Sequence, residues 1–443
     1  MSKSQIPSGA SVAIIGAGVV GIASACALNR KGYQVDVFDP FYPGEGGSSK
    51  SNAGHIGASD IFPLSTPGIH LKALKMLMDS DAPLKVPLKD FWQQIPWFWR
   101  FLLTSNGRRF SAATDALSYL GNNSINDTKE LFEYSSIAEG LEQNGCAFIY
   151  DTEQSFNKSA KNWAERVSRG FDSEVLNSKK IAKITPTIND KFKYGFLSHQ
   201  WAKVSEPIDI VKGLANAAKM NGVIFYQNSV NSVSKKLNSV VIDSDKGRSQ
   251  YDAVVIAAGI NSVSLATSIG DFLPMAAERG YNLTIPSPSI DIDIPIVFAD
   301  RGIVATSLAS GLRIGGWAEY ADVSRPANPN YFKSIARISQ ELFPGLNVDN
   351  ANLWMGSRPS TPDSVPVISK SLKMDRIFYN CGHGHYGLTH AATSAKLLCN
   401  LLAGDQNLSE IKAFSIDRFL SVSYTHLRAH ETPEHLVCRL LLE

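Results

Sequence analysis

Several signatures are missing from this 443-residue chain, and each absence removes a class of function. Cysteine is sparse: Cys26, Cys146, Cys381, Cys399 and Cys438 are scattered, with no C-x-x-C pair and no metal-type spacing. A disulfide framework and a zinc site are therefore not expected, and the thiols read as reduced groups of a cytoplasmic protein. No apolar run approaches the roughly 20 residues of a spanning helix. A charged lead followed by an apolar core is lacking, so no secretory leader is expected. Charge is almost balanced, 43 Lys+Arg against 41 Asp+Glu, without the basic stripe that a nucleic-acid partner requires. Internal repeats and low-complexity segments are absent too.

What is present is concentrated near the start. Residues 11–25 run as an apolar strand, then Gly16-Ala-Gly18-Val-Val-Gly21, then a helix-forming run. In such a fingerprint Gly16 makes the tight turn, Gly18 lets backbone approach a pyrophosphate, and Gly21 lets helix and strand pack closely. The first helical N–H groups and the positive end of the helix dipole then favour phosphate. Gly32 ends the helix, and residues 34–39 form the next strand, closing on Asp39 at the spacing where a carboxylate holds ribose hydroxyls. The context predicts a dinucleotide site.

The loop 40–57 is rich in Gly, Ser and Asn, and loops of that length tend to be functional. Its backbone N–H groups and the hydroxyls of Ser48, Ser49 and Ser51 suit phosphate and ribose. Helical periodicity follows over 71–78, 88–103, 112–144 and 159–168. The aromatic run 91–103 could rest on a membrane surface; its low basic content favours the buried face of an inserted domain. A helix at 210–220 and strands near 223–227, 229–234 and 240–243 precede an apolar strand, 251–259, that ends in small residues. Residues 274–356 are β in character apart from a helix near 330–343, and 354–363 is expected to break regular structure. A strand at 376–379 leads into the turn Asn380-Cys-Gly-His-Gly-His-Tyr-Gly387 and a helix at 389–402, a second helix start beside bare backbone.

Six motifs in order carry a resemblance over residues 11–419. They are the fingerprint with Asp39, Ser51-Asn-Ala-Gly-His-Ile56, Ala257-Ala-Gly259, Glu278-Arg-Gly-Tyr281, Trp354-x-Gly-x-Arg358-Pro-x-Thr-Pro-Asp363 and Gly382-His-Gly-His-Tyr-Gly387. The chain resembles glutathione-reductase-type flavoproteins of the D-amino-acid oxidase superfamily, most of all the small-subunit type of bacterial FAD-dependent D-amino-acid dehydrogenases. The resemblance implies an α/β fold: an FAD-binding Rossmann-like domain from residues 1–70, 200–275 and 355–420, and an inserted α+β substrate domain from 71–199 and 276–354. It implies FAD as cofactor. The residues expected to hold it are Gly16, Gly18, Gly21, Asp39, Ser48, Ser49, Asn52, Ala53, Gly54, His55, Val230, Ala258, Gly259, Gly382, Gly384, His385, Tyr386 and Gly387. No metal is expected.

The implied chemistry is oxidation of an amino acid at Cα, with hydride passing to flavin N5. Water then converts the imino acid to a 2-oxo acid and ammonia, and electrons pass to a quinone or chain component. Arg358 is the candidate for the α-carboxylate, because a planar, always-charged fork fixes both charge and orientation. Tyr281 is expected to add a hydroxyl or screen the pocket. His383 is the third catalytic candidate, although backbone contacts from this glycine-rich turn are favoured over general-base work. His55 reads as a hydrogen-bonding wall; covalent flavin attachment through His55 or Cys381 is conceivable but not required. Two alternatives remain: an oxidase or dehydrogenase of secondary amines such as glycine, sarcosine or hydroxyproline, and a non-catalytic FAD-binding assembly protein. A cytoplasmic location is expected, with peripheral contact at the inner face of the membrane possible. Side-chain preference, stereochemistry, electron acceptor and oligomeric state are not legible.

Residues 421–443 stand apart. His426, His430 and His435 invite a metal reading, but the segment resembles translated sequencing-adapter DNA at the ends of unrelated chains. It is treated as a non-native tail and expected to pack poorly.

Overall fold

The strand Ser11–Ile15 becomes the middle of a six-stranded sheet. Gln34–Asp39 and then Ile224–Gln227 lie parallel on one side of it, and Ala253–Ile256 and Ile377–Cys381 on the other. Val367–Lys370 closes the latter edge antiparallel. Parallel central strands are covered on both faces, which is why 253–256 reads as an unbroken apolar run rather than an alternation. Helices Val19–Arg30, Pro207–Met220, Gly107–Tyr134 and Gly387–Leu402 cover one face. The meander Val230–Lys236, Ser239–Ser244, Gly247–Tyr251 and the helix Ser262–Ile269 cover the other. This computed structural model describes residues 5–69, 84–137, 140–405 and 409–420. The helix expected at 71–78 and the tail 421–443, with Cys438 and its three histidines, lie outside them.

The second sheet has nine strands. Its main path runs Asn352–Ser360, Ala276–Ile285, Gly311–Tyr320, Ile303–Leu308, Ile296–Phe298, Cys146–Tyr150, Tyr194–Ser198 and Ser173–Asn177, with Leu84–Lys85 paired to Gly311–Tyr320. The helix Pro329–Leu342 buries Phe332, Ile335 and Leu342 against it. A small sheet of His55–Gly57, Trp201–Val204 and Leu141–Glu142 ties the loop after Asp39 to the interior.

Two expectations are corrected here. The segment expected to break structure at 354–363 is mostly a nine-residue strand, Asn352–Ser360, in continuous register with Ala276–Ile285. It is the terminal strand of its sheet, where the N–H that Pro359 lacks is not demanded by a neighbour. The helix predicted over 112–144 runs instead from Gly107 to Tyr134, capped by the Asn106 side chain, which accepts the Arg108 N–H. Its Leu117, Leu120 and Phe132 join the same core as Val12 and Ile14. Periodicity reveals that a helix has an apolar stripe, not which sheet receives it.

Candidate cofactor and substrate site

Every predicted nucleotide-binding segment follows the carboxyl end of a parallel strand: Gly16, Asp39, Val230, Gly259 and Gly382. Strand order reverses between Ser11–Ile15 and Ala253–Ile256, and that switch point is where open α/β sheets form ligand crevices. Close packing there demands bare backbone. Gly16 sits at φ +115°, and a Cβ on it would lie 2.3 Å from the Ala257 carbonyl oxygen. A Cβ on Gly21 would lie 2.0 Å from the Gly16 carbonyl oxygen. Gly18 differs: its Cβ would meet only the Ser49 hydroxyl, at 3.1 Å. Its bareness relieves no clash with neighbouring backbone, and Gly47 and Gly259 are likewise open, with nothing within 4 Å.

Side chains from later segments finish this end. Asp39 Oδ2 accepts the Ala17 N–H at 2.8 Å and Oδ1 accepts that of Phe41 at 2.9 Å, so the carboxylate pins the glycine turn. Burial pushes its carboxyl up against the opposing pull of those two N–H groups. Ser49 Oγ accepts the Val19 N–H at 3.0 Å, supplying the helix cap that Gly18 cannot. Asn52 closes its own turn by accepting the Gly54 N–H.

A cavity of about 750 Å³ opens beside this crevice. Of the predicted cofactor residues it brings together Ser48, Ser49, Asn52, Ala53, His55, Gly384, His385, Tyr386 and Gly387, and of the predicted catalytic ones Arg358 and Tyr281. Gly16, Gly18, Gly21, Asp39, Gly54, Val230, Ala258, Gly259 and Gly382 stand outside it. So does His383, whose ring is 2 % exposed and whose Nε2 lacks a partner. Burial pushes it down to about 3, so it is neutral at pH 7. His385, one glycine further on, is the turn's histidine at the cavity wall. Cys381 is buried outside the cavity, its thiol pushed up to about 12 by burial.

Glu278 organises the wall. It was visible in the sequence only as part of a motif, with no role attached. Fully buried, it stands opposite Arg358 in the strand register. Its Oε1 accepts from Arg358 Nη1 at 3.0 Å and pairs with His385 Nε2; its Oε2 accepts from the hydroxyls of Ser360 at 2.7 Å and Tyr320 at 3.3 Å. Burial alone would raise this carboxyl, but His385 and Arg358 outweigh it and hold Glu278 at about 2. Gly280 makes the room, since a Cβ there would fall 2.2 Å from Arg358 Nη2. Tyr281 borders the cavity, yet its hydroxyl is committed: it donates to Glu319 Oε2 at 2.6 Å and accepts the Asn328 N–H.

Arg313 is a second residue not anticipated. Buried on the cavity wall, it donates to the Asn52 carbonyl at 2.7 Å, Thr284 Oγ1 at 3.0 Å and Glu206 Oε1 at 3.0 Å. It thereby joins the 40–57 loop to the second sheet. His55 is bonded to Thr306 and pushed down to about 3 by burial and by Arg313, which makes it a neutral wall.

The sequence of residues 11–401 matches the family described as FAD dependent oxidoreductase. The chain belongs to that family. The open glycines at the switch point fit the family's dinucleotide. Among similar proteins is a D-amino-acid oxidase of Bradyrhizobium diazoefficiens, 30 % identical over 422 residues, covering 94 % of this chain and 100 % of that one. A D-amino acid dehydrogenase of Rhizobium rhizogenes is 29 % identical over 415 residues, covering 92 % and 99 %. In structure the FAD-dependent oxidoreductase fold here is similar to glycine oxidase from Geobacillus kaustophilus, with TM-score 0.71, 20 % identity and coverage of 92 % and 98 %. L-proline dehydrogenase from P. horikoshii gives TM-score 0.72, 16 % identity and coverage of 94 % and 99 %. No described helix is long and apolar enough to cross a membrane, and no described cluster of three or more His, Cys, Asp or Glu could hold a metal.

Proposed function

We propose that this FAD-dependent oxidoreductase deaminates D-amino acids, oxidising Cα–N to an imino acid that water converts to a 2-oxo acid and ammonia. Electrons leave to a quinone or another acceptor, at a site in the cytoplasm or on the inner face of the membrane. The names of the relatives, both at 29–30 % identity over nearly full length, support the substrate class.

One observation carries the assignment: Arg358 on the cavity wall. All its hydrogen bonds to described residues run from Nη1, to Glu278 and to the Trp317 carbonyl at 3.3 Å, which leaves Nη2 and Nε for a carboxylate. Glu278 offsets the charge of Arg358 and locks its plane. Geometry, more than net charge, then orients the substrate.

The cofactor supplies the redox chemistry when bound. Gly18, Asp39, Ser48, Ser49, Gly259 and the turn 382–387 would hold it. The chain's own work is to bind and orient: Arg358 holds the carboxylate, and neutral His55 and the aromatic walls exclude water. No side chain of the wall need remove a proton from carbon, because hydride loss from a neutral amine requires none.

The test is to purify the protein, record its flavin spectrum and follow anaerobic bleaching by D-amino acids, L-amino acids, sarcosine and hydroxyproline isomers. Bleaching by D-amino acids is expected. A response confined to secondary amines would replace the assignment with an amine oxidase or dehydrogenase, and bound flavin with no response would favour a binding protein.

A further inference from the structure

The cavity wall beyond Arg358 has an unusual chemistry. The helix Leu88–Thr104, the segment 84–86 before it and the stretch 315–320 contribute Leu84, Val86, Trp97, Phe98, Phe101 and Ala318 among their lining residues. None of the described lining residues from these three elements is charged. Their polar atoms are already used: Trp97 Nε1 donates to the Ser360 carbonyl at 2.9 Å, and the Tyr320 hydroxyl donates to Glu278. Trp97 stacks on Phe101 at 5.2 Å and lies 4.9 Å from Tyr320.

This wall is tied to the clamp. Ser360 lies two residues past Arg358, and Tyr320 shares the carboxylate of Glu278 with it. A carboxylate on Arg358 therefore sets the rest of its molecule beside the aromatic helix. The titratable groups lining the cavity come from other segments: His55, Asp60 (3.8 Å from Arg166), Glu278, Arg313 (with Glu206), Arg358 and His385.

We infer that this wall selects substrates with bulky apolar side chains, aromatic ones above all, and rejects acidic and basic ones. The inference rests on the reading of Arg358 as a carboxylate clamp and adds the side-chain class. A methylene-sized gain in an apolar pocket is worth roughly 10–200-fold in discrimination, and an unpaired charge forced against such a wall costs more.

Two measurements on the holoenzyme decide it. The first compares anaerobic bleaching by the D-isomers of phenylalanine, leucine, alanine, aspartate and lysine. Phenylalanine is expected to exceed alanine by roughly tenfold in kcat/KM, and aspartate and lysine to trail by a further hundredfold or so. The second follows perturbation of the flavin spectrum by unreactive 3-phenylpropionate against propionate, with the aromatic acid expected to bind at least tenfold more tightly. Phe98→Ala should weaken 3-phenylpropionate by about tenfold and raise KM for D-phenylalanine more than for D-alanine. Leu102→Ala, at a position 38 % exposed, should do the same more weakly.

Equal affinity for the two acids, or alanine and lysine reacting as well as phenylalanine, would overturn the inference while leaving D-amino-acid oxidation standing. If no D-amino acid bleaches the flavin, that function falls instead, and the binding comparison still decides the character of the wall.

Discussion

At the fingerprint end of the site, backbone does the work: Gly16, Gly18 and Gly21 lie within six positions, and Asp39 and Ser49 reach back over 22 and 30 residues to steady them. At the Arg358 end, side chains do it. Glu278 and Arg358 are 80 positions apart, Arg313 and Asn52 are 261, and the paired charges are largely out of solvent. The first kind of site is intolerant of added volume. The second is intolerant of lost charge, because removing one partner strands the other in a low-dielectric interior.

The largest expected effect attacks the backbone end. Gly16→Ala combines a positive φ with a Cβ 2.3 Å from a carbonyl oxygen, and it should cost about 3–5 kcal/mol from strain and overpacking. Urea denaturation and flavin content of the purified variant would show it; near-wild-type values would mean that this end tolerates volume after all.

Next comes the charge-built end. Glu278→Gln leaves Arg358 and His385 facing a neutral amide, with an expected loss of about 3 kcal/mol in stability. If its melting curve overlays the parent's, the buried pair is not the organising element. Arg358→Ala should remove about 3 kcal/mol or more of kcat/KM while the flavin remains bound. An unchanged kcat/KM would refute the clamp.

Acid bears on both ends. His55, His383 and His390 are each pushed down to about 3, by burial first and then, for His55 and His390, by Arg313 and His383. The unfolded rings take up protons near pH 6.5 that the folded ones refuse. Stability is therefore full above pH 6.5 and falls as pH is lowered toward 3. Chemical denaturation between pH 7 and pH 4 measures that slope, and a flat profile would show that these imidazoles are not held neutral.

The smallest change is the sharpest. Gly18→Ala meets only the Ser49 hydroxyl and should move stability by less than about 1 kcal/mol. Flavin affinity should nevertheless fall about tenfold, or ~1.4 kcal/mol, since Gly18 is proposed to hold the flavin. Equal effects of Gly16→Ala and Gly18→Ala on stability would erase the distinction between glycines that serve the fold and those that serve the cofactor.

The aromatic run 91–103 shows the limit of periodicity. Its low basic content favours a buried face, and Trp97 is buried, but Trp92 and Trp99 on the same helix are 76 % and 56 % exposed. The helix is amphipathic with aromatics on both sides, and composition alone does not separate them. His383 and His385 make the same point. Two positions apart in one turn, they are alike in sequence, yet His383 is buried outside the cavity and His385 lines it.

By itself, the sequence determined the turn proposed to hold the cofactor: a strand, three glycines and an acid within 29 residues constrain one another through local backbone geometry, so their spacing suffices. The arginine was legible too, as a residue type in a motif. What only the tertiary structure decided is how that arginine is held. Glu278 meets Arg358 because two strands 80 residues apart pair in register, and the aromatic wall stands beside them because Trp97 reaches the Ser360 carbonyl. Strand register and interhelical packing are set by the whole core at once, and no local spacing records them.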